Sequence, residues 1–230
     1  MKSPGRSNSE DYPLPDSPGS STSHPLLAAA LRDNLEFIGL LTTESLVGSN
    51  LGICATVNGQ TIVKAPDWFY VPKVFPLDPP RARRSYTPGV EGEIPVIVME
   101  FLSATDGGEY SSRPIYPYGK LWFYERILQV PIYVIFEPER GNLEVRQLRS
   151  GSYQILDANT EERYWIESIN LYLGVWYGTK ADRTGYWLRW WDANGNLLLW
   201  GGELLEQERQ RVEKLESYLR SQGINPEQIL

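Results

Sequence analysis

The stretch from Ile94 to Phe136 constrains this chain more than any other part of it. Ile94-Pro95-Val96-Ile97-Val98-Met99-Glu100-Phe101 is a nearly continuous apolar run with one acid close to its end, the pattern of a strand covered on both faces. A polar loop follows from Ser103 to Tyr118. Behind Gly119, residues Leu121, Tyr124, Glu125 and Leu128 recur at helical spacing, and Pro131 stops the helix. Ile132 to Phe136 then reads as a second buried strand. Strand, helix, strand in this order predicts a crossover unit with parallel strands, and so an α/β fold built on a mixed sheet.

The flanking sequence elaborates this core. Leu26, Leu27, Ala30, Leu31, Asn34, Leu35 and Ile38 follow helical spacing between Pro25 and Gly39, which predicts an amphipathic helix of three to four turns. Gly52 to Val57 and Gln60 to Val63 flank Asn58-Gly59, a hairpin signal. Trp68 to Val71 continues as a strand, and the five prolines between Pro72 and Gly92 predict a long loop without regular structure. From Leu143 the pattern is strands and turns, with six of the eight tryptophans between Trp165 and Trp200; it predicts an antiparallel β extension. Glu203 to Arg220 is a charged helix with Leu205, Val212, Leu215 and Leu219 on an approximate a/d seam, which suits either docking on its own domain or a dimer contact. Residues 1–22 are dominated by Ser, Pro, Gly and Asp and are expected to form a disordered tail. The expected organisation is a tail over 1–22, one α/β domain with its β extension over 23–202, and a C-terminal helix and tail over 203–230.

Composition removes several kinds of chemistry. One cysteine, Cys54, and one histidine, His24, cannot furnish a disulfide or a structural zinc site. His24 sits at the edge of the Pro/Ser-rich tail, a poor place to orient a catalytic base, so a Ser-His-Asp or Cys-His hydrolase is not expected. Any chemistry must rest on carboxylates, lysines, tyrosines or a cation held by oxygen ligands. No apolar run approaches the roughly 20 residues that cross a bilayer, and no leader is written at the start, so a cytoplasmic protein is expected. The net charge of −7 confines any nucleic-acid surface to a local patch, and the densest basic cluster is Arg81, Arg83 and Arg84.

Asp67 follows a proline between two β-like segments, and Glu100 lies near the end of an apolar strand where a charge needs a partner. Carboxylates delivered by neighbouring strands suit Mg²⁺, which takes one or two of them together with waters and phosphate oxygens. Lys120 opens the next helix, from which it can orient an attacking water or offset developing charge. Lys64, on the strand leading to Asp67, is the nearest alternative lysine.

Pro66-Asp67, then Glu100-Phe101-Leu102-Ser103, then Lys120 to Tyr124, then Ile132-Tyr133-Val134-Ile135-Phe136-Glu137-Pro138 resembles the pattern of the Uma-two endonuclease family, which has the PD-(D/E)XK fold. The resemblance runs from about residue 24 to about residue 222 and includes the early helix with its histidine and the Glu/Arg/Gln-rich C-terminal helix. It implies a restriction-endonuclease-like core that hydrolyses phosphodiester bonds of nucleic acid, expected to be DNA. Asp67 and Glu100 would be the ligands of Mg²⁺ or Mn²⁺, and Lys120 the signature lysine moved from strand to helix. Arg81, Arg83, Arg84, Ser103 and Tyr124 are weaker candidates for contacts to the substrate, and a homodimer is expected. Three departures accompany the resemblance: Leu102 stands where the motif usually has its lysine, the loop between Glu100 and Lys120 is longer than usual, and Glu137 replaces an aspartate. Two other readings compete, a non-catalytic nucleic-acid-binding or interaction protein on the same fold and a carbohydrate or peptide binder using Trp187, Trp190 and Trp191 as a stacking platform.

Overall fold

The computed structural model describes residues 23–79, 81–102 and 108–226; the expected tail over residues 1–22 and Ser103 lie outside them. Helix α1 (Ser23–Phe37) is followed by strands β1 (Leu46–Gly48), β2 (Gly52–Val57), β3 (Gln60–Lys64) and β4 (Trp68–Val71). Next come β5 (Ser85–Tyr86), β6 (Ile97–Phe101) and α2 (Lys120–Trp122), which runs straight into a π-helical segment, Phe123–Leu128. Strands β7 (Ile132–Glu137), β8 (Asn142–Arg149), β9 (Ser152–Ile155), β10 (Tyr164–Ile166), β11 (Leu171–Lys180) and β12 (Arg183–Trp191) precede α3 (Gly201–Ser221).

The expected crossover unit is present. Strands β6 and β7 pair in parallel, Ile97 beside Ile132 through Phe101 beside Phe136, and they form the middle of a six-stranded mixed sheet in the order β1-β4-β6-β7-β8-β9. Alternation along β6 separates its side chains. Ile97, Met99 and Phe101 enter a core shared with α1 and with the sheet β10-β11-β12. Val98 enters a second core shared with the sheet β3-β2-β5 and the crossover helix, and the period of two puts Glu100 on that same face. Covered on both sides, β6 is buried along its whole length.

The hairpin also forms as expected. Asn58 (φ 51°) and Gly59 (φ 79°) both take positive φ, the requirement of a tight turn whose twist matches its strands. Four expectations change. The central strand begins at Ile97, leaving Ile94 exposed. The proline-rich loop contains β5, two residues held parallel to β2 by long-range pairing. The crossover helix turns π-helical after its first turn, and Gln129 closes it in the left-handed region with its N–H on the Tyr124 carbonyl. Leu26 and Ile38 face solvent instead of the core under α1.

The tryptophans of the extension are structural. Trp187 and Trp190 are completely enclosed and Trp191 is 6% exposed with the Arg163 guanidinium over its ring, so they offer no stacking platform. Arg189, also enclosed, lies 3.3 Å from the Trp200 ring centroid and donates both to the Leu198 carbonyl and to Glu203, which bolts the start of α3 to β12. Beyond that anchor α3 buries no residue; its Leu205, Val212 and Leu215 are exposed.

Candidate functional site

Three elements converge at the C-terminal end of β6. The β4–β6 register sets Trp68 opposite Met99, and continuing it by one residue brings Asp67 opposite Glu100. Asp67 Oδ2 accepts the backbone N–H of Phe101 at 2.7 Å, which fixes its carboxylate at the strand end. Because the crossover helix packs back over this face, Lys120 and Tyr124, one turn apart, meet Glu100 together. Glu100 Oε2 accepts from Lys120 Nζ at 3.1 Å, and Oε1 accepts from the Tyr124 hydroxyl at 3.1 Å. The longer loop therefore leaves Lys120 within reach of the strand, and Leu102 does not interrupt the contact. A π-helical turn re-aims side chains relative to a regular helix and recurs at functional sites.

Two residues that the sequence reading did not assign to the site complete it. His24 is 4% exposed rather than part of a loose tail, packs edge-on against Phe101, and sets Nδ1 3.3 Å from Asp67 Oδ1. A carboxylate oxygen only accepts, so the shared proton sits on Nδ1. Glu109, 2% exposed, receives Lys120 Nζ on Oε1 at 3.3 Å, and its backbone carbonyl accepts from the Tyr133 hydroxyl at 2.8 Å. Neither His24 Nε2 nor Glu109 Oε2 has a hydrogen-bond partner among the described residues. The signal for both is three-dimensional: His24 lies 43 residues from Asp67, and Glu109 sits in a polar loop where an acid normally faces water.

The electrostatics follow from burial. Glu100 is fully enclosed, which pushes its carboxyl up to about 8; Lys120 pulls the other way, while Asp67 and Glu109 add to the rise. Burial alone would lower Lys120, but Glu100 and Glu109 outweigh it and hold the ammonium above its usual range. Tyr124 is raised well above an ordinary tyrosine, by burial and then by Glu100, so it remains a hydroxyl donor. Lys64 is half-buried and lowered, by burial and then by Lys120.

The other candidates sit elsewhere or are otherwise engaged. Arg83 donates to Glu91 Oε1 at 2.8 Å and to the Phe75 carbonyl, so its guanidinium holds the proline-rich loop. Arg81 and Arg84 are exposed.

The donor set fits a hard divalent cation in type. Among the described residues each carboxylate oxygen of Asp67 and Glu100 has one protein contact and so keeps a lone pair to offer. The raised Glu100 and the unpartnered Glu109 Oε2 mark a place where positive charge is in deficit. Among the described residues no group of three or more His, Cys, Asp or Glu is close enough to form a metal cage. Asp67 and Glu100 would thus hold the ion with other oxygens completing its shell, the way Mg²⁺ is usually bound.

A mixed sheet with a parallel crossover pair at its centre, acids from adjacent strands at one end and a lysine from the crossover helix defines a restriction-endonuclease-like protein. The chain belongs to the Uma2 family, described as "putative restriction endonuclease", whose family model matches residues 15–179. No curated protein matches it.

Proposed function

We propose that this chain is a Mg²⁺- or Mn²⁺-dependent endonuclease that hydrolyses phosphodiester bonds of DNA in the cytoplasm. The observation that carries the reading is the meeting of Asp67, Glu100 and Lys120 at one strand end, with Lys120 Nζ 3.1 Å from Glu100 Oε2. Family membership supports nuclease activity and a nucleic-acid substrate. No helix among the described residues is long and apolar enough to cross a membrane.

Asp67 and Glu100 hold the cation, and His24 and the Phe101 N–H fix the rotamer of Asp67. When bound, the cation supplies Lewis-acid polarisation of the phosphate. Lys120, kept as an ammonium by two carboxylates, cannot accept a proton. It offsets charge that develops on the phosphoryl oxygens and orients the incoming water through its hydrogens. Tyr124 keeps Glu100 aligned for the cation.

The test is plasmid nicking in Mg²⁺ by wild type and Lys120→Ala. Losing one such electrostatic donor typically lowers the rate by about 10²–10³, and the variant should still bind Mn²⁺. Equal activity in the two proteins would point to a contaminating nuclease or to Lys64 as the working lysine. No cleavage by wild type of any DNA or RNA would favour a nucleic-acid-binding protein that keeps the fold without the chemistry.

A further inference from the structure

Helix α3 lies beyond the part of the chain that the family model matches, which ends at residue 179. Its first turn is fixed by Arg189, Glu203 and Trp200, yet none of its 21 residues is buried. A helix of that length is marginal in water without a packed face. This one carries a stripe: Leu205 is 73% exposed, Val212 43%, Leu215 53% and Tyr218 63%. Placing Leu205, Val212 and Leu219 at a positions puts Glu208, Leu215 and Gln222 at d, with Arg209 and Glu216 at e and Arg211 and Tyr218 at g.

We propose that α3 pairs antiparallel with α3 of a second copy of this chain across a two-fold axis. Charge selects both the occupant and the direction. In the antiparallel arrangement Val212 faces Leu215 of the second copy, and Glu208 faces Leu219. Arg209 then flanks Glu216 of the second copy, and by symmetry the pair occurs twice. A parallel pairing in register would press Glu208 against Glu208 in the seam, a like-charge contact taken out of water. It would also bring two globular domains to the same end of a helix about 30 Å long, whereas the antiparallel pairing sends them to opposite ends. The contacts Arg209 makes within its own helix, to Glu206 at 3.0 Å and Glu213 at 3.9 Å, are exposed ion pairs. Such pairs are weak and can share the guanidinium with a partner helix.

The inference does not depend on the nuclease reading, because its readout is mass. Sedimentation or light scattering of the full chain should give twice the 26.2 kDa chain mass at tens of micromolar protein. Arg209→Glu turns two attractive pairs into two repulsive ones and should raise the dimer dissociation constant about tenfold or more. Glu216→Arg should do the same, and the two substitutions together should restore the dimer. Arg211→Glu, which faces Tyr218 of the second copy, should leave it intact. Circular dichroism checks that the helix persists in each variant, and recovery in the double variant covers the case in which a single reversal frays it. A monomeric wild type, a double variant that stays monomeric, or dissociation by Arg211→Glu but not by Arg209→Glu would overturn the proposal.

Discussion

Replacing Glu100 by Gln should remove a loss of stability that the metal-free protein undergoes as pH rises near neutrality. Glu100 has no exposed surface, and its carboxyl titrates at about 8 in the fold against 4.5 for an ordinary glutamate. Between those values the folded chain keeps a proton that the unfolded chain has released. Stability must therefore fall as pH rises through this window and level off above about 8. One full proton corresponds to about 1.4 kcal/mol per pH unit, and because the carboxyl is half-titrated by pH 8, going from pH 6 to pH 8 should remove about 2 kcal/mol. For a domain of this size that is a fall in Tm of about 4–8 °C. The Glu100→Gln side chain can offer its oxygen to Lys120 and its amide to the Tyr124 hydroxyl, and it has no proton to lose. The assay is thermal unfolding of both proteins in chelator, followed from pH 5.5 to 9. Wild type should lose Tm relative to the variant across the window, and saturating Mn²⁺ should flatten the wild-type curve, because binding requires the deprotonated carboxylate. Parallel curves for the two proteins would refute the argument that burial of Glu100 governs this site.

Asp67→Asn and Glu100→Gln should each abolish or strongly weaken Mn²⁺ binding in calorimetry; unchanged binding would place the ion elsewhere. Deleting residues 1–22 should leave Tm nearly unchanged, since the segment lacks the apolar residues that offset the entropy of ordering, and a fall of many degrees would show that it docks. Arg189→Met should destabilise the fold by about 2–4 kcal/mol in denaturant unfolding, because Glu203 and the Leu198 carbonyl lose a buried donor; a change under about 0.5 kcal/mol, the scale of an ordinary surface substitution, would show the anchor to be dispensable.

Local signals carried the parts of the fold that are locally determined. Asn58-Gly59 specifies its hairpin because both residues tolerate positive φ, and the apolar run that carries Glu100 is of the kind found in a strand enclosed on both faces, as β6 is. Glu100 stood out because a charge in an apolar strand needs a partner, and Asp67 came forward only together with it; the β4–β6 register does set the two positions side by side. The features that escaped are set by distant contacts. Strand β5 exists through its pairing with β2, more than 25 residues earlier in the chain. The π turn alters hydrogen bonding without disturbing the 3–4 spacing of Leu121, Tyr124 and Leu128. His24 looked like part of a tail because it follows a Pro/Ser/Gly-rich stretch, yet it lies in the first turn of α1.

On the proposed reading, in which Lys120 is the signature lysine displaced from the strand, Glu109 is what holds it at the site. A lysine on β6 would be aimed by the pleat of the sheet, whereas one at the start of a helix has a long stem and several rotamers. Here two carboxylates hold Nζ, Glu100 from the strand and Glu109 from a loop whose backbone is tied to β7 through Tyr133. The longer loop between Glu100 and Lys120 is thus what delivers the second anchor. The same arrangement leaves Asp67 and Glu109 both within electrostatic reach of Glu100 around one close ammonium, with half-buried Lys64 nearby. Uncompensated negative charge of that kind is costly away from water. Either a proton on Glu100 or a cation beside it relieves the imbalance, and only the second leaves Glu100 free to act as a ligand. A polyanionic substrate faces the same negative field. On the proposed nuclease reading, in a chain whose net charge is −7, the cation that would complete the site would also be what lets a phosphodiester approach it.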